Sequence, residues 1–239
     1  RALRVLCAML FVVCSVGQVI AAEVVLFYTG NTQGFLEVCG CSDNQLGGVA
    51  RRAALLRDLR HKHPQAILVD AGGMFAGDTA LDQLRCAVHL DAMQAMKYDV
   101  AHVDAGAFQF GTSFLKMMRD TAGVDFVNAN VYVAGDSFVP AAQVVVREGV
   151  RVGFVGVGGA LPHQDVQAME QKAHVVADIE IRDAIQSVEA AIEKMGDVDV
   201  VVVLSDLDRE DEVTLVQAVS QVDVVIGTRT NKRVTPVAG

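Results

Sequence analysis

The run Asp197–Ser205, DVDVVVVLS, constrains the fold more than any other stretch of this chain. Its β-branched residues favour extended backbone. Its almost unbroken apolarity means that both faces of the strand are buried, so it belongs inside a sheet with further layers packed on either side. Val24–Tyr28, Ala66–Val69, Tyr98–Val103, Val124–Val131 and Val222–Gly227 read as further strands. Amphipathic stretches at Gly48–His61, Ala80–Lys97, Thr112–Thr121, Ile179–Met195 and Arg209–Val219 read as helices. Ala142–Arg147 and Val150–Val157 flank a glycine-containing turn and read as a β-hairpin. The alternation predicts an α/β sheet covered by helices, with sites where loops leave the carboxyl ends of the strands. The glycine-rich turns at 30–34, 72–77, 104–111, 205–208 and 227–231 occupy such ends.

A chain of 239 residues suits one large domain. Arg1 and Arg4 precede an apolar run, Val5–Ala22, that closes on Ala21-Ala22. Positive start, apolar middle and small-residue end describe an export signal over 1–22, with an uncleaved anchor as the alternative, and leave 23–239 as the domain. The expected location is therefore periplasmic or extracellular, with membrane contact only through that first segment. Removing Arg1 and Arg4 takes the formal charge from -9 to -11, which argues against nucleic acid as a partner. Of the five cysteines, Cys7 and Cys14 fall in the first segment. Cys39, Cys41 and Cys86 remain, too few for a disulfide scaffold. A redox or disulfide role for these three, with Cys39 or Cys41 bridging Cys86, stands beside a plain turn pair without chemistry.

Several blocks carry a resemblance. In order they are FYTGNTQGFLEVCGC, AILVDAGGMFAG, YDVAHVDAGAFQFG, FVNANVY, VREGVRVGFVGV, VDVVVVLSDL and VDVVIGTRTN. Together they resemble the calcineurin-like metallophosphoesterases, in the exported 5′-nucleotidase branch and its subgroup with Cys-Gly-Cys after the first loop. The resemblance implies a four-layer α/β/β/α sandwich with mixed sheets, shortened at the C-terminus, where KRVTPVAG replaces the family's further strands. It also implies two metal ions that polarise a phosphate and supply a hydroxide.

The implied ligand positions have all changed. Where the family has Asp and His in its first loop, this chain has Asn31 and Gln33; where it has a bridging Asp, Gly73 stands. Its Gly-Asn-His-Glu is Asp104-Ala105-Gly106-Ala107, its next His is Asp206, and its Gly-Gly-His-x-His is Gly227-Thr228-Arg229-Thr230-Asn231. Neutral amides hold hard ions weakly without carboxylates, and a guanidinium does not coordinate. No resident metal or other cofactor is therefore expected. Asp78, Asp104, Asp206 and Asp208 remain near the loops, as collectors of one Ca²⁺ or Mg²⁺ or as solvated and capping acids. His61 and His63 read as solvated at a helix end, His89 and His174 as helix or surface positions, and His102 as a strand residue.

Asn31, Gln33, Asp206 and Arg229 are the candidate anion site, for phosphate or a nucleotide held without hydrolysis. No catalytic residue is assigned. The first functional reading is a non-catalytic, exported relative acting by binding or structural association, with a protein partner at an open sheet edge. The second is a divergent phosphoesterase or 5′-nucleotidase with a reduced site and a divalent metal such as Mn or Zn.

Overall fold

The computed structural model describes residues 23–38, 47–159 and 179–229. Its first sheet holds β1 (Leu26–Thr29), β2 (Ile67–Asp70), β3 (Val100–His102) and β4 (Asp125–Val127), in that order and parallel at every pairing. Helices α1 (Val49–Lys62), α2 (Ala80–Ala95) and α3 (Thr112–Thr121) link these strands and cover one face of the sheet. The second sheet has the order β11 (Val224–Gly227), β10 (Val200–Ser205), β8 (Val150–Val157), β7 (Ala142–Arg147). It is mixed: β7 and β8 form the expected antiparallel hairpin, while β8, β10 and β11 run parallel. Helices α4 (Ala184–Met195) and α5 (Arg209–Ala218) pack on its outer face.

The period-2 alternation of side chains assembles the layers. In β2, Ile67 and Val69 face the second sheet and Leu68 faces the helices. In β10, Val202 and Leu204 face the first sheet while Val203 faces α4 and α5. The inter-sheet core is thus Ile67, Val69, Val100 and Val127 against Val145, Val152, Phe154, Val202, Leu204 and Ile226. These groupings make four layers, helix, sheet, sheet, helix, as the resemblance implies. The expected mixed character holds for the second sheet only.

Two elements depart from the sequence reading. The single strand expected over Val124–Val131 is two, β4 and β5 (Val131–Val133), in different sheets. The break is at Asn128, whose Oδ1 accepts from the backbone N–H groups of Asn130 and Val131 at 2.9 and 2.7 Å. That local bond replaces ladder pairing and turns the chain. The helix expected from Ile179 starts at Ala184, because Asp183 caps it by accepting from Gln186 N at 2.8 Å. Ile179–Ile181 is instead strand β9, which joins β5 and β6 (Asp136–Ser137) in a small antiparallel sheet. By contrast α2 opens on a full capping box, Thr79 with Asp82.

Register places the functional loops side by side. Thr29 lies beside Asp70 and Asp70 beside Ala101 in the first sheet; Ser205 lies beside both Val157 and Gly227 in the second. The carboxyl ends of both sheets therefore open on one rim.

Candidate functional site

The first loop is strapped to the second. Asn31 N donates to Gly72 O at 2.7 Å and Gln33 N to Gly73 O at 2.8 Å. Asn31 and Gln33 take left-handed backbone, φ 53° and 48°, which asparagine tolerates better than most side chains. Their side chains meet each other, Gln33 Nε2 donating to Asn31 Oδ1 at 3.0 Å. Gly73 has φ 69°, and a Cβ there would stand 2.8 Å from Asn31 Cα and 3.1 Å from Asn31 N. The position of the implied bridging carboxylate has no room for a side chain while the first loop lies where it does.

Beneath these loops His102, Asp104 and Asp206 converge. His102 is fully buried between the sheets; its Nδ1 lies 3.1 Å from Val127 O, so that nitrogen carries the donated proton. Its Nε2 has no hydrogen-bond partner and lies 3.9 Å from Asp206 Oδ1, an ion-pair separation. Asp206 Oδ1 accepts from Gly159 N at 2.7 Å. Asp104, 5% exposed, accepts from Gly73 N at 2.5 Å through Oδ2. Burial pushes the Asp104 carboxyl up, and the nearby Asp206 charge adds to that; the His102 charge and the Gly73 and Ala107 N–H groups oppose it. Burial pulls the His102 imidazole down, but the facing Asp206 and Asp104 carboxylates outweigh it and leave it raised.

Arg229, from the loop after β11, pairs with Asp208 at 3.6 Å rather than with Asp206. Its guanidinium lies over Gly159, Nη1 being 3.0 Å from where a Cβ of that residue would stand. The four candidate anion-site residues therefore form two groups: Asn31 with Gln33 on the first loop, and Asp206 with Arg229 at Gly159. Thr230 and Asn231 lie outside the described residues.

This donor set does not fit a two-metal centre. The position of the bridging ligand is a glycine without space, the first-loop donors are neutral, and the two carboxylates hold backbone N–H groups. Among the described residues no group of three or more His, Cys, Asp or Glu side chains is arranged to hold a metal ion.

The sequence reading did not give the rim its asparagines. Asn128 Nδ2 donates to Val103 O at 2.8 Å. Asn130 Nδ2 donates to Gly158 O at 2.8 Å, and its Oδ1 accepts from Gly158 N at 2.8 Å. These bonds pin the third loop of the first sheet to the end of β8. The signal was present in FVNANVY, two amides spaced by one residue at a strand end. Asp78 lies just before α2 and outside the convergent group.

His89 is not at the surface; it is 1% exposed on the inner side of α2. Arg52 of α1 reaches its Nε2 at 3.2 Å and Thr32 of the first loop lies 3.4 Å away. Arg52 also lies over the Tyr98 ring, whose hydroxyl is 2.9 Å from Thr29 Oγ1; that threonine hydroxyl donates to buried Asp70 at 2.5 Å. Burial, with the Arg52 charge, pushes the His89 imidazole down to about 4. The unfolded chain takes up this proton near pH 6.5, while the folded chain refuses it until about pH 4. Stability from this group is therefore present above pH 6.5 and falls as pH drops across that window, by on the order of 3 kcal/mol. His89→Gln should remove that part of the slope in denaturant midpoints taken from pH 7 to pH 4; an unchanged slope would contradict the assignment.

Cys86 is a free thiol on the buried face of α2, 1% exposed, and burial pushes it up to about 11. It has the character of a structural, inert cysteine. Cys39 and Cys41 lie outside the described residues, as does the segment 1–22. Among the described residues no helix is long and apolar enough to cross a membrane.

No family model matches the chain. It is 26% identical over 186 residues to a 2′,3′-cyclic-nucleotide 2′-phosphodiesterase/3′-nucleotidase of Haemophilus influenzae, covering 69% of this chain and 28% of that protein. It is 23% identical over 194 residues to the snake venom 5′-nucleotidase of Crotalus adamanteus, covering 77% of this chain and 32% of that one. The 5′-nucleotidase precursor of Thermus thermophilus superposes with a TM-score of 0.72 at 24% identity, over 84% of this chain and 40% of that one. In sequence and fold the chain is 5′-nucleotidase-like, and its curated and structural neighbours are nucleotidases and calcineurin-like phosphoesterases. A calcineurin-like phosphoesterase of Bacillus subtilis, YfkN, superposes with a TM-score of 0.68 at 21% identity, over 84% of this chain and 70% of that one. This 5′-nucleotidase-like chain spans about a third of the length of the curated relatives it matches.

Proposed function

We propose that this chain is a non-hydrolytic relative of the 5′-nucleotidases that acts outside the cytoplasm by binding. The observation that carries the reading is Gly73. It lacks a donor, and the backbone of Asn31 stands where a side chain would have to begin. A two-metal mechanism needs anionic or imidazole ligands that clamp both the attacking and the leaving oxygen. Here the rim offers two amides, a guanidinium and a carboxylate already bonded to a backbone N–H.

The ligand class that fits the rim is a phosphate or nucleotide monoester. Asn31, Gln33 and Arg229 supply neutral or positive contacts, and Asp206 anchors the loop at Gly159 over which Arg229 lies. The test combines calorimetric titration of AMP and of inorganic phosphate with an assay of AMP and bis(p-nitrophenyl) phosphate hydrolysis in Mn²⁺. Binding that weakens tenfold or more in Arg229→Gln, without turnover, is the expected result. Turnover would sink the reading.

One observation favours a second reading, a divergent phosphoesterase with a reduced site using a divalent ion such as Mn or Zn. Three ionisable groups, His102, Asp104 and Asp206, do converge under the loops. A protein partner belongs to the first reading too. Strands β1 and β11 close one side of each sheet and each pairs with a single strand among the described residues, which suits an added strand.

A further inference from the structure

In a two-metal phosphoesterase the loops of both sheets converge on cations. This chain brings the same loops together around a buried imidazole. His102 projects from β3 of the first sheet and faces Asp206 at the end of β10 in the second, 3.9 Å away. Asp104 lies near the ring across Gly72: a Cβ on Gly72 would lie 2.9 Å from His102 Cδ2 and 3.4 Å from Asp104 Oδ2. The other ionisable group close enough to act on the ring is Asp70, buried on β2. Asp206 thus faces the ring at ion-pair distance, with Asp104 and Asp70 near enough for their charge to act on it, and Nδ1 is already committed to Val127 O.

The surroundings are shaped for that ring. At Gly156 of β8 a Cβ would lie 2.6 Å from His102 Nδ1 and closer still to Val127 O, so only a glycine admits the imidazole between the sheets. Nε2 is the one ring nitrogen left, and it is without a partner and fully buried. With the proton on Nδ1, a neutral ring would turn the Nε2 lone pair toward the Asp206 carboxylate, whereas protonation makes Nε2 a donor facing it. Each carboxylate in turn ties a loop: Asp206 holds Gly159 N, and Asp104 holds Gly73 N.

We propose that the His102 imidazolium takes the place of the metal ions as the cation that clamps the two sheets, holding Asp206 and Asp104 and through them the loops at Gly159 and Gly73. The proposal rests on the reading that no two-metal centre exists here. It goes beyond that reading by assigning the residue that replaces it. His102 is a positioning residue: it sets the rim on which Asn31, Gln33 and Arg229 stand.

The test is a double-mutant cycle on the full chain, His102→Gln with Asp206→Asn, followed by denaturant unfolding in EDTA and again in Mn²⁺. Each single variant should raise the unfolding equilibrium constant tenfold or more, and the double variant should lose no more stability than the worse single one. The wild-type midpoint should be the same in both solutions. Losses that add, with the midpoint still indifferent to metal, would overturn the clamp and leave the non-hydrolytic reading standing. A midpoint raised by Mn²⁺ and returned by EDTA would overturn both. Asp206 is partly exposed, so Asp206→Asn should fold even where the His102 variant does not. NMR of the His102 ring in that variant supplies a second readout: its titration midpoint should fall relative to wild type, and an unmoved midpoint would overturn the pairing.

Discussion

Gly156→Val is expected to destabilise the folded chain by about 3–5 kcal/mol, at the upper end of single substitutions. The position lies on β8 facing the first sheet, where a Cβ would collide with the Val127 carbonyl and the His102 ring at once. Neither neighbour can yield cheaply. Val127 O accepts from Val103 N at 3.3 Å and lies 3.1 Å from His102 Nδ1, and Val127 itself is fully buried in the inter-sheet core. Against a typical total of about 5–15 kcal/mol the loss removes a large share of stability. Urea unfolding followed by circular dichroism measures it. A change within about 0.5 kcal/mol, the range of surface substitutions, would show that the sheets are not packed as described.

Gly73→Asp restores the residue type implied at the bridging position, and it is expected to fail. The backbone there has φ 69°, and the new Cβ would enter the space of Asn31 Cα and N. The first loop would have to lift, breaking the bonds Asn31 N to Gly72 O and Gln33 N to Gly73 O. A stability loss of about 2–3 kcal/mol is the expected result. No metal affinity or phosphoesterase turnover should accompany it, because Asn31, Gln33 and Gly106 still supply no charged donor. Unfolding midpoints and Mn²⁺ titration of the variant check both parts. A variant that binds Mn²⁺ tightly and turns over a phosphodiester would show that the loops keep a latent centre.

What could be read before the fold was known follows physical lines. The run Val200–Leu204 is apolar because it is buried on both faces, so its strand was legible without the structure. The hairpin Ala142–Arg147 with Val150–Val157 was legible because the turn Glu148–Gly149 announces itself. The stretch Val124–Val131 has strand composition throughout, and only the side-chain bonds of Asn128 divide it between two sheets. Ile179–Ile181 looked like helix because its partner, β5, is distant in sequence. His89 was legible as a helix or surface position, and it is on the helix; its burial was not legible, because the arginine that makes it tolerable lies on another helix.

The candidate site divides in the same way. The rim residues Asn31, Gln33, Asp206 and Arg229 were legible because each stands at a strand end in an ordered series of blocks. The floor was not. His102 and Asp104 come from β3 and its following loop, Asp206 from the end of β10, and no local pattern says that these elements face each other across two sheets. Packing of the inter-sheet core decides that.

Metal content measured together with turnover tests the central claim most directly. The purified chain is equilibrated with Mn²⁺, dialysed, analysed by atomic spectrometry and assayed against AMP and bis(p-nitrophenyl) phosphate. The account predicts no stoichiometric metal and no hydrolysis, from protein whose unfolding transition shows it to be folded. Two tightly held metals per chain with clear hydrolysis would contradict it, and would mean that the first loop and Gly73 rearrange to make a centre that this rim does not contain.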